Sequence, residues 1–273
     1  MSSEDRPVST IVVSNPWAEL RRHTAARIAL GRAGTSLPTT PHLEFQFAHA
    51  KARNAVQREL DVEALARAIA DLGQETFLLA SRAGDRVTYL QRPDAGRSLD
   101  EASRARLAAH AGAAEPVDVA LVVGDGLSAH AIEENAVSLL AELLPLLARH
   151  GLTTAPISIV RQARVAVGDE IGHLLRARMV VVLIGERPGL SSPDSLGLYL
   201  TLHPAPGLTD ESRNCISNVR SEGIQPPRAA QKLVYLMLEA FRRNLSGVLL
   251  KDEEDAPAGL PAPGSGNFLT AGD

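Results

Sequence analysis

With 273 residues, 22% of them charged, and a net charge of −4, the chain can bury a core as one large or two small domains. Its slight acidity argues against a nucleic-acid binder. A single cysteine excludes an intrachain disulfide and points to a reducing compartment. The longest apolar stretch, 137–148, is interrupted by Glu142 and Pro145 and is too short for a bilayer, and no apolar signal segment stands near Met1, so a soluble cytoplasmic protein is expected.

The spacing predicts a short basic helix over 15–29. Asn15 is the N-cap, Pro16 the first helical residue, Trp17, Leu20, Thr24 and Ile28 one face, and Arg21, Arg22 and Arg27 the remainder. Three roles fit it: a transit-type segment, a docking or encapsulation helix, or a plain surface helix. Two further helices follow over 45–58 and 61–72, the second capped by Asp61 and ended by Gly73. Segments 76–80 and 87–90 read as short strands around Ala83-Gly84-Asp85, 92–97 as loop and 101–110 as helix. Small residues and Pro116 mark 111–116 as a boundary.

From Val117 the pattern changes. Segment 117–123 is a buried strand leaving through Gly124-Asp125-Gly126, and Ser128 caps a long helix to about His150 that Pro145 should kink or shorten. Strands are expected at 157–160, 165–167, 179–184 and 198–202. A short helix is expected from Gly168 to Arg176, and a last helix from Pro226-Pro227 with Leu233, Leu236, Met237, Ala240 and Phe241 inward. The Ala/Pro/Gly-rich acidic tail from Asp252 lacks the apolar surface to order itself.

Strands alternating with helices imply the α/β class: a Rossmann-like three-layer domain with a mostly parallel sheet, preceded by an α-rich N-terminal extension. The expected division is a basic helix and linker at 1–36, the α-rich extension with short strands at 37–115, the Rossmann-like domain at 116–251, and a disordered tail at 252–273.

Three loops leave strands with polar residues, at Gly124-Asp125-Gly126, Gly168-Asp169-Glu170 and Gly185-Glu186-Arg187. Parallel strands bring such loops to one sheet edge, where open α/β sheets bind ligands. GDGLSA lacks the third glycine of the dinucleotide fingerprint, and Asp125 reads as capping its own turn or as facing a ligand. Glu186 reads as a ligand acceptor or as the partner of Arg187. Cys215 reads as a nucleophile, a metal ligand or a packed residue. Zinc spacing, HExxH and GxSxG are all missing, and no histidine has Asp two residues before it and Gly three after it.

Six segments resemble one known family: 45–56 (FQFAHAKARNAV), 89–96 (YLQRPDAG), 119–135 (VALVVGDGLSAHAIEEN), 164–172 (RVAVGDEIG), 183–190 (LIGERPGL) and 215–218 (CISN). Together, in this order and spacing over roughly 37–248, they are similar to the small (light) subunits of ethanolamine ammonia-lyase. The resemblance implies an α/β subunit set against a large TIM-barrel subunit, a hetero-oligomer active only when complete, and an adenosylcobalamin held between the two. It implies corrinoid contacts at Val165, Glu186 and Cys215, and no catalytic acid, base, nucleophile or protein metal ligand on this chain. It further implies a radical conversion of ethanolamine to acetaldehyde and ammonia, with the cofactor carrying the chemistry, in a cytoplasmic bacterial microcompartment, without membrane or nucleic acid. The rival readings are a stand-alone nucleotide-binding enzyme and a non-catalytic scaffold.

Overall fold

The computed structural model describes residues 11–254. A two-stranded antiparallel hairpin pairs β1 (Val12–Val13) with β2 (Arg32–Ala33). Between them lies only a 3-10 helix, Pro16–Arg22, where the sequence predicts a helix to residue 29. Asn15 caps it as expected, its side chain accepting from the Trp17 N–H at 2.9 Å. The helix ends early because its apolar residues find nothing to pack on: Trp17 is 67% exposed, and Leu20 and Ile28 are also exposed. Tertiary burial, the main support of short helices, is therefore missing.

Next come α1 (Thr39–Gln57), α2 (Val62–Ala70), β3 (Thr76–Ala80), α3 (Arg86–Gln91), α4 (Glu101–Ala113), β4 (Val119–Gly124) and α5 (Ala129–Arg149). They are followed by β5 (Ile157–Arg161), α6 (Val167–Leu174), β6 (Met179–Gly185), β7 (Leu196–Leu202), β8 (Asn214–Val219) and α7 (Pro226–Arg243). The six-stranded sheet runs β3-β5-β4-β6-β7-β8; the first four strands are parallel, and β7 and β8 are added antiparallel. The sheet is thus mostly parallel, and its outer strand β3 comes from the stretch before the 111–116 boundary.

Both faces are covered, and the period-2 pattern of the central strands shows how. Val119, Leu121 and Val123 of β4 and Met179, Val181 and Leu183 of β6 pack with α2, α5 and α7. The alternate residues Ala120, Val122, Val180, Val182 and Ile184 pack with α4 and α6. Each fully buried Val, Leu or Ile contributes about 1.5–3 kcal/mol, so two strands buried on both sides dominate the driving force. A fully buried ion pair fastens α6 to the approach to β8: Arg213 Nη1 donates to Asp169 Oδ1 at 2.6 Å, while its Nη2 donates to the Leu208 carbonyl at 3.1 Å.

Three sequence expectations are corrected. Segment 87–90 is the helix α3, because the Asp85 carboxylate accepts from the Thr88 N–H at 2.9 Å and starts a turn that buries Tyr89 and leaves Val87 exposed. Residues 165 and 166 form a turn and Val167 opens α6, because Gln162 adopts a left-handed backbone (φ 56°) that ends β5. Pro145 does not shorten α5. Pro145 and Ala141 both lie on the exposed side, where water can serve the carbonyl that a proline leaves unpaired. The strand β8, which the sequence reading treats only as a motif, is the second edge of the sheet.

Of the tail, Asp252, Glu253 and Glu254 pair with Lys232, Arg243 and Arg228 of α7. Residues 255–273 lie outside the described residues. No helix among the described residues is long and apolar enough to cross a membrane.

Candidate functional site

The chain leaves β4 for β5 on one side, then crosses back to β6 on the other side of β4. The order therefore reverses between β4 and β6, and the exits of these two strands form the crevice in which open α/β sheets hold ligands. The floor of that crevice is main chain. Leu127 N–H donates to the Gly185 carbonyl at 2.9 Å, and a Cβ on Gly126 (φ 58°) would lie 2.2 Å from that oxygen. A Cβ on Gly185 would lie 2.0 Å from the Ser128 carbonyl oxygen. Both positions admit only glycine without main-chain movement.

Asp125 reaches beyond its own turn. Its two carboxylate oxygens each accept at 2.9 Å from the Gln162 and Ala163 N–H groups, so it ties the β4 exit to the β5 exit. Arg86 stands 3.8 Å away and donates to the Gly126 carbonyl at 2.8 Å. Burial pushes the Asp125 carboxyl up, and the two N–H groups and Arg86 pull against it.

Above this floor opens a cleft of about 420 Å³. One wall is Tyr89, Arg164 and Val165; the other is Glu186 and Tyr199, with Arg187 at the rim. Val165 is half-buried in the turn before α6. Glu186 is half-buried and makes no ion pair with Arg187. Its Oε2 accepts from Ser195 Oγ at 2.5 Å and from the Asn218 N–H at 3.3 Å, while its Oε1 accepts nothing among the described residues. The main-chain bond from Glu186 N–H to the Ser195 carbonyl (2.9 Å) closes the loop behind it. Ser128 and Arg220 then pin that loop through the Pro193 and Ser191 carbonyls and Asp194. Carboxylate position depends on Gly197, where a Cβ would come within 2.9 Å of Oε1.

Cys215 does not line the cleft itself. It lies on β8 directly opposite Tyr199 of β7, whose ring does. The residue is exposed as a whole, yet desolvation of its sulfur and the charge of Glu186 push the thiol up, with Tyr199 partly offsetting them. Burial and the neighbouring Cys215 likewise push the Tyr199 hydroxyl up. A thiol raised in this way is protonated at neutral pH, so no ready nucleophile stands here. The described residues contain no group of three or more His, Cys, Asp or Glu able to hold a metal ion.

The structure thus puts Val165 and Glu186 on one cleft and Cys215 one strand behind its wall. Sequence reasoning did not single out Tyr89, Arg164 or Tyr199. Tyr89 and Arg164 stand inside the motifs YLQRPDAG and RVAVGDEIG, but nothing local signals that the two motifs meet.

Residues 14–251 match the family model described as "Ethanolamine ammonia-lyase light chain (EutC)". The chain is 54% identical over 271 residues to the ethanolamine ammonia-lyase small subunit of Pseudomonas aeruginosa (strain LESB58), covering 98% of this chain and 99% of that one. It is 56% identical over 271 residues to the protein of that name from Ralstonia nicotianae (98% and 99%). It is 59% identical over 261 residues to that from Azotobacter vinelandii (93% and 95%). At this identity and coverage, the chain belongs to the family of ethanolamine ammonia-lyase light chains, or small subunits.

Proposed function

We propose that this chain is the small subunit of an adenosylcobalamin-dependent ethanolamine ammonia-lyase, and that its cleft is one half of the corrinoid site, completed by a large subunit. The observation that carries the reading is the placement of Val165 and Glu186 on one cleft at the reversal point of a sheet we read as Rossmann-like, with Cys215 behind Tyr199. The residues fit the group. Among the described residues Glu186 Oε1 is an acceptor without a partner, suited to the amide donors at a corrin's edge. Val165 offers apolar surface, and the exposed Cys215 is small enough for close approach. The open, half-walled cleft suits a ligand shared with a second polypeptide.

When bound, the cofactor supplies the radical chemistry that turns ethanolamine into acetaldehyde and ammonia. This chain binds and orients: Glu186, fixed by Ser195 and the Asn218 N–H, holds one edge, and the Asp125 ties keep the strand exits in register beneath it. No acid or base for the reaction is assigned to it. We also place it in a bacterial microcompartment, with the exposed N-terminal segment as the docking element.

The test uses the complex with the large subunit, titrated with adenosylcobalamin and followed by absorbance. Glu186→Ala should weaken affinity by about 1–3 kcal/mol, and the isolated chain should show no lyase activity. Unchanged affinity would reject the role given to Glu186, and activity from this chain alone would reject the division of labour.

A further inference from the structure

Arginines that leave the surface of this protein are matched with carboxylates. The buried Arg86, Arg213 and Arg220 face Asp125, Asp169 and Asp194. The half-buried Arg104 and Arg243 face Glu170 and Glu239. Among the described residues, Arg164 alone is neither exposed nor paired with a carboxylate.

Its neighbours position the guanidinium without neutralising it. The Arg164 guanidinium carbon lies 4.2 Å from the centre of the Tyr89 ring, and Nη2 donates to the Tyr89 carbonyl at 3.3 Å. Tyr89 is fully buried and anchored by its own hydroxyl, which donates to the Ala163 carbonyl at 3.0 Å. The Arg164 N–H donates to the Gly96 carbonyl at 2.8 Å, so the main chain is held as well. Its Nε is buried and has no partner. A cation drawn half out of water, with a donor unused and no counter-charge, carries a cost that the fold does not offset. Such local violations mark functional sites. Arg164 lines the cleft beside Val165, and Arg187 adds positive charge at the rim.

We infer that Arg164 recognises an anionic group of phosphate chemistry on the ligand that fills this cleft. A guanidinium held over an aromatic ring keeps its remaining N–H donors for the forked geometry that suits phosphate oxygens. The inference rests on the corrinoid reading above, under which the peripheral anion is the phosphodiester joining the corrin to its nucleotide tail. The two walls then divide the ligand: Glu186 takes amide donors, and Arg164 takes the phosphodiester.

The experiment measures equilibrium affinity, by absorbance titration of the complex with the large subunit, for three probes. These are adenosylcobalamin, adenosylcobinamide phosphate (phosphate without base) and adenosylcobinamide (neither). The wild type should bind the first two more tightly than the third. Arg164→Gln should weaken the first two by roughly 10- to 100-fold and leave adenosylcobinamide unchanged. Arg164→Lys, which keeps the charge, should retain most of the preference and guards against misfolding of the glutamine variant. Equal weakening for all three probes, or for none, overturns the role of Arg164. A wild-type complex that binds none of them overturns instead the corrinoid reading on which it stands.

Discussion

Two arginines, one before a strand and one after, end in opposite situations. Arg213 is buried against Asp169, and its remaining hydrogen-bonding reach is met by Thr201, Asp210 and Leu208. Arg164 is half-buried against an aromatic ring, with Nε unmet and no ion pair to a described carboxylate, and across the cleft Glu186 Oε1 accepts nothing among the described residues. The Arg213 network holds elements of the fold together, whereas Arg164 and Glu186 face the cleft where the strand order reverses. The contrast separates residues whose loss should unfold the protein from residues whose loss should empty a site.

That contrast breaks most visibly at the closed pair. Arg213→Met should cost about 3–5 kcal/mol by denaturant unfolding, because it strands a buried Asp169 carboxylate. A cost under about 1 kcal/mol would show that the pair is dispensable. Asp125→Asn should cost about 1.5–3 kcal/mol, since an amide cannot accept from both the Gln162 and Ala163 N–H groups as the carboxylate does. Gly197→Ala sharpens the open side. The new methyl meets the side chains of Glu186 and Tyr199 rather than main chain, so the unfolding midpoint should move little, while corrinoid affinity of the complex should fall by about 1 kcal/mol as the carboxylate is displaced. Loss of stability without loss of affinity would place Gly197 among the structural residues.

The smallest effect is a surface one. Arg242 first, and Arg243 next, hold the Glu239 carboxyl down from 4.5 to about 2. A lowered pKa adds stability above the ordinary carboxylate range and loses it as pH falls through the folded value. Wild-type stability should therefore drop in that acid window more steeply than that of Glu239→Gln. Identical acid limbs would mean that the pair contributes nothing measurable.

Much of the fold was legible because it rests on strong local signals. The apolar runs of β4 and β6, with Ser128 capping α5 and Pro226 opening α7, needed no tertiary information. Segment 87–90 misled because Val87, Thr88 and Tyr89 favour strands, and the Asp85–Thr88 cap outweighs that preference. Strand β8 was obscured by Asn214, Ser217 and Asn218, whose polarity fits an edge exposed on one side. In the site, Glu186 stood out because a charge ends a buried strand. Arg164 could not stand out: what sets it apart is the lack of an ion pair with any described carboxylate, and that leaves no mark in a linear pattern.

The seam between Gly126 and Gly185 has a further consequence. Because two backbones touch there, substitution at either glycine cannot reshape the cleft without moving main chain. Adaptation to a new ligand can instead enter through the lining side chains, on the Tyr89–Arg164 side or the Glu186–Tyr199 side, over a glycine seam that stays constant.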